Sequence, residues 1–225
     1  MAVGGLPGDA PHVAVERRLL DAVIAPGAAV LEAGCGRTTR LIDYRDRMAR
    51  LVGIDLDEEA GRQNEALDEF VPADLCAPLP FADTSFDVVY ANFVLEHLAA
   101  PETAFAEWHR LLRPGGAAVV LASNIANPYL RLAERLPQRT RDAVKRRGAG
   151  AADEDVFPAV YRANTPARLI ELMRRAGFEL VELRCVGTLH RYAGGRRGLG
   201  LVLRGAERVL PQRLRSTIVA SFRAV

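Results

Sequence analysis

Residues 30–38, Val30-Leu31-Glu32-Ala33-Gly34-Cys35-Gly36-Arg37-Thr38 (VLEAGCGRT), decide how the chain is read. A short apolar run ends in a carboxylate and breaks at once into Gly-x-Gly. Such a run, bounded by glycine, reads as a buried strand entering a tight turn. Glycines at the turn leave little side chain between the backbone and whatever lies over it.

Upstream, HVAVERRLLDAVIA is a helical pattern over 12–25, closed by Pro26-Gly27. Downstream, β and α signals alternate. RLIDYRDRM reads as a helix, RLVGID as a second strand, DEEAGRQNEAL as a helix, EFVPAD as a third strand and FDVVYANF as a fourth. PETAFAEWHRLL is a helix stopped by Arg113-Pro114-Gly115-Gly116, and GAAVVLAS is a fifth strand. Strands this apolar, separated by amphipathic helices, predict a mostly parallel sheet covered on both faces. The alternation lapses over 124–165 and returns at NTPARLIELMRRAGF, with Thr165 as N-cap, Pro166 at the first helical position and Gly177 at the exit. FELVELRCVG and STIVASFRAV read as strands. Between them GLGLVLRGAERVL places apolar residues at 199, 202, 203, 206, 209 and 210, one helical face expected to join the core.

The whole chain bounds the function. Its 225 residues, 49% hydrophobic and 26% charged, suit a single globular domain over 1–225. Thirty basic against 28 acidic residues leave a net charge of +2, which gives no field selecting nucleic acid or an anionic membrane. Lys145 is the only lysine, so the basic content is almost all arginine. Cys35, Cys76 and Cys185 are scattered, against a disulfide framework or a structural metal site. The N-terminal residues carry no secretory pattern, and no apolar run approaches the ~20 residues that span a bilayer. A cytoplasmic protein without membrane insertion is the expectation.

In an open parallel sheet, ligands sit beyond the carboxyl ends of the strands, where the strand order reverses. Glu32, Asp55 and Asp74 fall at three successive strand ends. Asp55 follows Gly36 at the reach of an acid that accepts from a ribose diol. A dinucleotide fingerprint would need a third glycine where Thr39 stands, and a pyrophosphate would face Glu32. A cofactor bearing an ammonium group suits that carboxylate better. Adenosine joined to a cationic amino acid describes S-adenosylmethionine.

VLEAGCGRT, VGIDLDEEA, VPADLCAPLPFADTSFDVVYANFVLEHL and LLRPGGAAVVL resemble, in order, the successive motifs of the class I S-adenosylmethionine-dependent methyltransferases. The branch they look like is the small-molecule one that includes the ubiquinone/menaquinone C-methyltransferases. The resemblance covers about residues 15–123, and YRANTPARLIELMRRAGFELVEL extends it. Thr38 departs from the ExGxGxG form of the first motif.

The resemblance implies a Rossmann-like sheet of seven strands, the last antiparallel, with helices on both faces. It implies that Glu32 orients the methionine ammonium and that Gly34, Cys35 and Gly36 line the amino-acid portion with backbone. Asp55 would accept from the ribose hydroxyls and Leu56 would lie on the adenine. Asp74 would accept from the adenine amine, with the Leu75 backbone on the ring. Asn92 would flank the sulfonium. The cysteine thiols, Cys35 included, read as packing groups, and Asp87 as a structural tie. His97, Tyr161 and His190 are the candidates if the acceptor must lose a proton.

The implied activity is methyl transfer to O, N or C of a small organic acceptor in biosynthesis, releasing S-adenosylhomocysteine. A nicotinamide-dependent oxidoreductase and a non-catalytic binding module are the other classes weighed. Residues 124–165 are expected to form a lid or substrate wall. Within them Asn127-Pro128-Tyr129 reads as a turn into a helix. The basic run LRLAERLPQRTRDAVKRRG, with Glu134 and Asp142 opposing seven cations, reads as a solvated face.

Overall fold

The computed structural model describes residues 11–135, 158–193 and 196–225. Helix α1 (Pro11–Val23) precedes β1 (Ala28–Ala33). The chain continues through a 3-10 helix (Leu41–Arg47), β2 (Met48–Asp55), α2 (Glu58–Arg62), β3 (Glu69–Pro72) and β4 (Phe86–Asn92). A 3-10 turn (Leu95–His97), α3 (Pro101–Leu111), β5 (Leu112–Ser123) and α4 (Pro128–Ala133) follow. Beyond residue 157 come α5 (Pro166–Arg175), β6 (Phe178–Val186), α6 (Arg197–Arg208) and β7 (Thr217–Ala224).

The seven strands form one sheet in the order β3-β2-β1-β4-β5-β7-β6. Pairings among β1 to β5 are parallel, and β7 runs antiparallel to both neighbours. The order turns back between β1 and β4, which opens a crevice at their carboxyl ends.

Alternation along each strand divides the core. Val30, Val88, Tyr90, Val119 and Leu121 pack with Leu19 and Leu20 of α1, with Ile24 just beyond it and with Tyr44. Leu31, Ile54, Val89, Ala91 and Val120 pack on the opposite face with Phe105 and Trp108 of α3 and Leu169 of α5. The sheet is therefore covered on both sides, as its two-sided apolar strands require.

The local signals hold where a side chain satisfies backbone. Thr165 Oγ1 accepts from Arg168 N at 3.3 Å, Pro166 opens α5, and Gly177 follows its end. Asn127 Oδ1 accepts from Tyr129 N and Leu130 N at the start of α4, so that stretch is a turn into a helix. Asp87 accepts from Ala29 N at 2.8 Å and pairs with Arg113, tying the start of β4 to the start of β1 and the bulged start of β5. This fixes Asp87 as a structural tie.

Three expectations are corrected. The segment after the glycine turn is a 3-10 helix, because apolar residues at 41, 44 and 48 fit either helix. Helix α2 spans only Glu58–Arg62, capped by Asp57. Helix α6 does not join the core: Leu201, Val202 and the C-cap Val209 are 69%, 67% and 80% exposed. Its one buried side chain is Glu207. The expected 124–165 insertion and the basic run lie partly outside the described residues, since 136–157 are not among them. No helix of the described residues is long and apolar enough to cross a membrane.

Candidate functional site: a cofactor cavity at the carboxyl edge of the sheet

The glycine turn is held as tightly as its sequence suggests. Gly34 N and Cys35 N both donate to Ile54 O of β2, at 2.8 and 3.0 Å. Gly34 has φ +74°, and a Cβ there would lie 2.6 Å from Val94 Cγ2. Gly36 has φ +50° with open space around it. So one glycine serves close packing and the other a left-handed backbone.

Asp55, at the end of β2, accepts from Gly36 N at 2.8 Å and from Asp57 N at 2.9 Å. One carboxylate thereby sets both the glycine turn and the start of α2. Asp74, exposed beyond β3, accepts from Cys76 N at 2.8 Å. Asn92 ends β4 with its Oδ1 buried and unpartnered. Phe93 follows at φ +55°, a conformation a bulky side chain rarely adopts, and its N–H donates to Leu121 O.

These residues enclose a cavity of about 440 Å³. Gly34, Asp55, Leu56, Asp74, Leu75 and Asn92 all line it, and His97 joins them. Leu56 is 62% exposed at the rim, where a flat ring would cover it. Glu32, two residues before Gly34, is 3% exposed and has no partner for Oε2. Burial pushes its carboxyl up to about 8, with a hydrogen bond from Thr39 opposing and Asp55 and Glu16 adding to the rise. Cys35 points away from the cavity lining and packs against Gly53, and burial raises its thiol far above the ordinary range.

His97 Nδ1 lies 3.1 Å from Pro158 O. A carbonyl only accepts, so Nδ1 carries the proton there. Tyr161 sits outside the cavity lining, with φ +51° and its hydroxyl donating to Glu134 at 3.0 Å. His190 lines a different cavity with Arg204, Glu207, Arg208 and Arg215. The structure therefore brings His97, but neither Tyr161 nor His190, to the cofactor cavity.

Sequence reasoning missed Phe93, Val94, Pro158 and Val160, which also line the cavity, as does Cys76, read from the sequence as a packing thiol. Position directly after Asn92 was a usable signal for the first two. It also missed Glu96, buried, whose Oε1 accepts from Ser123 N at 2.6 Å and whose backbone carbonyl accepts from Val160 N. This glutamate ties the turn after β4 to the end of β5. A further buried network, Glu16 with Arg40 and the Tyr90 hydroxyl, binds α1 to the sheet.

The oxygens left without partners test which cofactor fits. Asn92 Oδ1 is an acceptor that wants a donor, and Glu32 Oε2 becomes one on ionisation, which an ammonium favours and a pyrophosphate opposes. The residues present fit S-adenosylmethionine.

Comparison with known proteins agrees. A family profile described as a methyltransferase domain matches residues 31–120. The chain is 33% identical over 158 residues to the ubiquinone/menaquinone biosynthesis C-methyltransferase of Roseobacter denitrificans, covering 68% of this chain and 60% of that protein. It is 36% identical over 154 residues to a trans-aconitate 2-methyltransferase of an Azoarcus species, covering 64% and 59%. Against the malonyl-acyl-carrier-protein O-methyltransferase of Enterobacter lignolyticus the identity is 35% over 134 residues, covering 55% and 53%. The chain thus spans about half the length of the first curated relatives it matches. Among solved structures, an S-adenosylmethionine-dependent methyltransferase from Mesorhizobium loti superposes with a TM-score of 0.64 at 19% identity, covering 96% and 98%. Geranyl diphosphate C-methyltransferase from Streptomyces coelicolor, solved with S-adenosylhomocysteine, gives 0.62 at 15%, covering 95% and 80%.

The fold is the Rossmann-like one of the class I methyltransferases. Residues 31–120 match the methyltransferase domain, and the site fits S-adenosylmethionine.

Proposed function

We propose that this chain transfers the methyl group of S-adenosylmethionine to an O, N or C atom of a small organic acceptor and releases S-adenosylhomocysteine. The observation that carries the reading is the pair of buried, unpartnered oxygens, Glu32 Oε2 and Asn92 Oδ1, at the ends of β1 and β4. Bound there, the cofactor supplies an activated methyl electrophile. The chain's part is to orient it and hold the acceptor in line.

Glu32 and Asn92 would hold the amino-acid end, the Gly34–Gly36 backbone would lie along it, and Asp55 and Asp74 would accept from the nucleoside. An acceptor ionised at working pH needs no base. For a protonated one, His97 is the proposed base, because Nδ1 donates to Pro158 O and the opposite ring nitrogen carries the lone pair. The position of Tyr161 supports a structural role, and the lining of separate cavities by His190 speaks against a part in this reaction. Pro158 and Val160 support the expectation that 124–165 contributes a wall. Relatives named for ubiquinone/menaquinone biosynthesis and for trans-aconitate support a small organic acceptor, and one named for malonyl-acyl-carrier-protein supports an organic acyl group.

Calorimetric titration with S-adenosylmethionine, S-adenosylhomocysteine and NADH tests the reading. Both sulfur nucleosides should bind and NADH should not. Asp55→Asn should weaken both by about ten- to a hundredfold, the loss expected for hydrogen bonds to a charged group. Binding of NADH in their place overturns the proposal.

A further inference from the structure

A second cleft, of about 170 Å³, opens beside the cofactor cavity at the same edge of the sheet. Phe93 lines both. The other walls include Ser123 at the end of β5, Leu130 on α4, Thr188 after β6, and Arg191. The volume holds on the order of six water-sized groups. A molecule placed here stands one side chain away from the cofactor cavity, which is where an acceptor has to be.

The cleft has its own polar construction. Thr188 Oγ1 lies 3.0 Å from Ser216 Oγ and 2.6 Å from Thr217 Oγ1, and all three residues are buried. Ser216 Oγ also accepts from Thr188 N at 2.8 Å. Behind them Glu207 accepts from Leu189 N at 2.8 Å and from Ser216 N at 3.0 Å. Its two carboxylate oxygens are thus engaged by backbone, and the two loops carrying the hydroxyls are fixed to one another.

Arg191 supplies the charge. Several arginines among the described residues face a carboxylate: Arg17 faces Asp43, Arg113 faces Asp87 and Arg168 faces Glu102. Arg191 does not. Its partner among the described residues is His12 Nε2, 3.3 Å from Nη1. Burial holds the His12 imidazole down at about 4, with Arg40 and Arg191 adding to the fall, so it accepts as a neutral ring. A neutral acceptor orients the guanidinium without cancelling its charge. The cleft therefore presents an oriented cation beside a rigid set of hydroxyls.

We propose that this cleft is the acceptor site and that it selects a small organic acid, with the carboxylate on Arg191 and the Thr188–Ser216–Thr217 hydroxyls. The proposal rests on the methyltransferase reading and adds the acceptor class to it. The fork of the guanidinium matches two carboxylate oxygens, and hydroxyls can donate to the same group. A neutral amide of the same shape would put N–H donors against Arg191 and lose the charge pairing.

The test is calorimetric titration of the S-adenosylhomocysteine complex with acetate, malonate, succinate and glutarate, each beside its amide. Wild type is compared with Arg191→Gln, a change at an exposed side chain. At least one acid should bind saturably and its amide should not. Arg191→Gln should weaken that acid by about tenfold or more while leaving S-adenosylhomocysteine affinity unchanged. Absence of binding by every acid, equal binding of an amide, or an unchanged affinity in Arg191→Gln overturns the proposal. Failure of S-adenosylhomocysteine itself to bind takes down the methyltransferase reading and the acceptor assignment with it.

Discussion

Glu32 concentrates the chemistry of the site in one titratable group. It is buried at the end of β1 with one oxygen unpartnered, among Thr39, Asp55, Glu16 and Arg40, and its carboxyl is raised to about 8. An unfolded glutamate titrates near about 4.3. The folded state therefore keeps its proton over a window in which the unfolded state has lost it. The resulting stability is fully present below the unfolded value and is lost as pH rises through the folded one. Glu32→Gln, which fixes the neutral form, should match the ligand-free wild type in acid and exceed its thermal stability above pH 8. A cationic ammonium favours the ionised carboxylate instead. Cofactor binding near neutrality should then expel a proton, seen as a binding enthalpy that varies with the ionisation enthalpy of the buffer. Glu32→Gln should abolish that variation and weaken S-adenosylmethionine by about ten- to a hundredfold. A buffer-independent enthalpy in wild type would show that Glu32 does not change protonation on binding and would contradict this account.

Among the elements, the strand-to-turn junctions and the short helix α4 carry separable costs. At Gly34 a methyl group meets Val94 at 2.6 Å in addition to the left-handed backbone, whereas at Gly36 it meets open space. Gly36→Ala should cost about 1–2 kcal/mol, the backbone penalty alone. Gly34→Ala should cost more and should displace Val94 from the cavity wall, so that cofactor affinity falls along with stability. Urea unfolding paired with S-adenosylhomocysteine titration separates the two effects, and equal losses at both sites would contradict the packing argument. Asn127 does two jobs on α4: Oδ1 caps Tyr129 N and Leu130 N, and Nδ2 donates to Leu214 O at 2.8 Å. Asn127→Asp keeps the cap and removes the donor, while Asn127→Ala removes both. Alanine should cost about 1–2 kcal/mol in urea unfolding, the usual worth of a cap, and aspartate at least as much, because this fully buried position would set a carboxylate against the Leu214 carbonyl.

For the whole molecule, the parts legible in the sequence were those set by local chemistry. Apolar runs ending in Glu32, Asp55 and Asn92 gave the strands and their binding edge, because a strand buried on both faces has few alternatives. Thr165, Asn127 and Asp87 were legible because each satisfies backbone within its own turn or at a strand start. Leu130, Thr188, Arg191 and Ser216 were not, since chain closure at β6 and β7 brings them together and no spacing records it. Helix α6 was misread for a related reason: an apolar stripe has the same period whether or not anything covers it. That difference is measurable. Trp108 is fully buried on α3 against Phe105, so Trp108→Ala should cost about 3–5 kcal/mol. Leu201 and Val202 are 69% and 67% exposed, and changing both to serine should shift stability by less than about 0.5 kcal/mol. Each variant would be unfolded in urea, with S-adenosylhomocysteine affinity as the control for an intact site. A loss above about 1 kcal/mol for the α6 pair would mean that this face is buried after all, and that the periodicity had been read correctly.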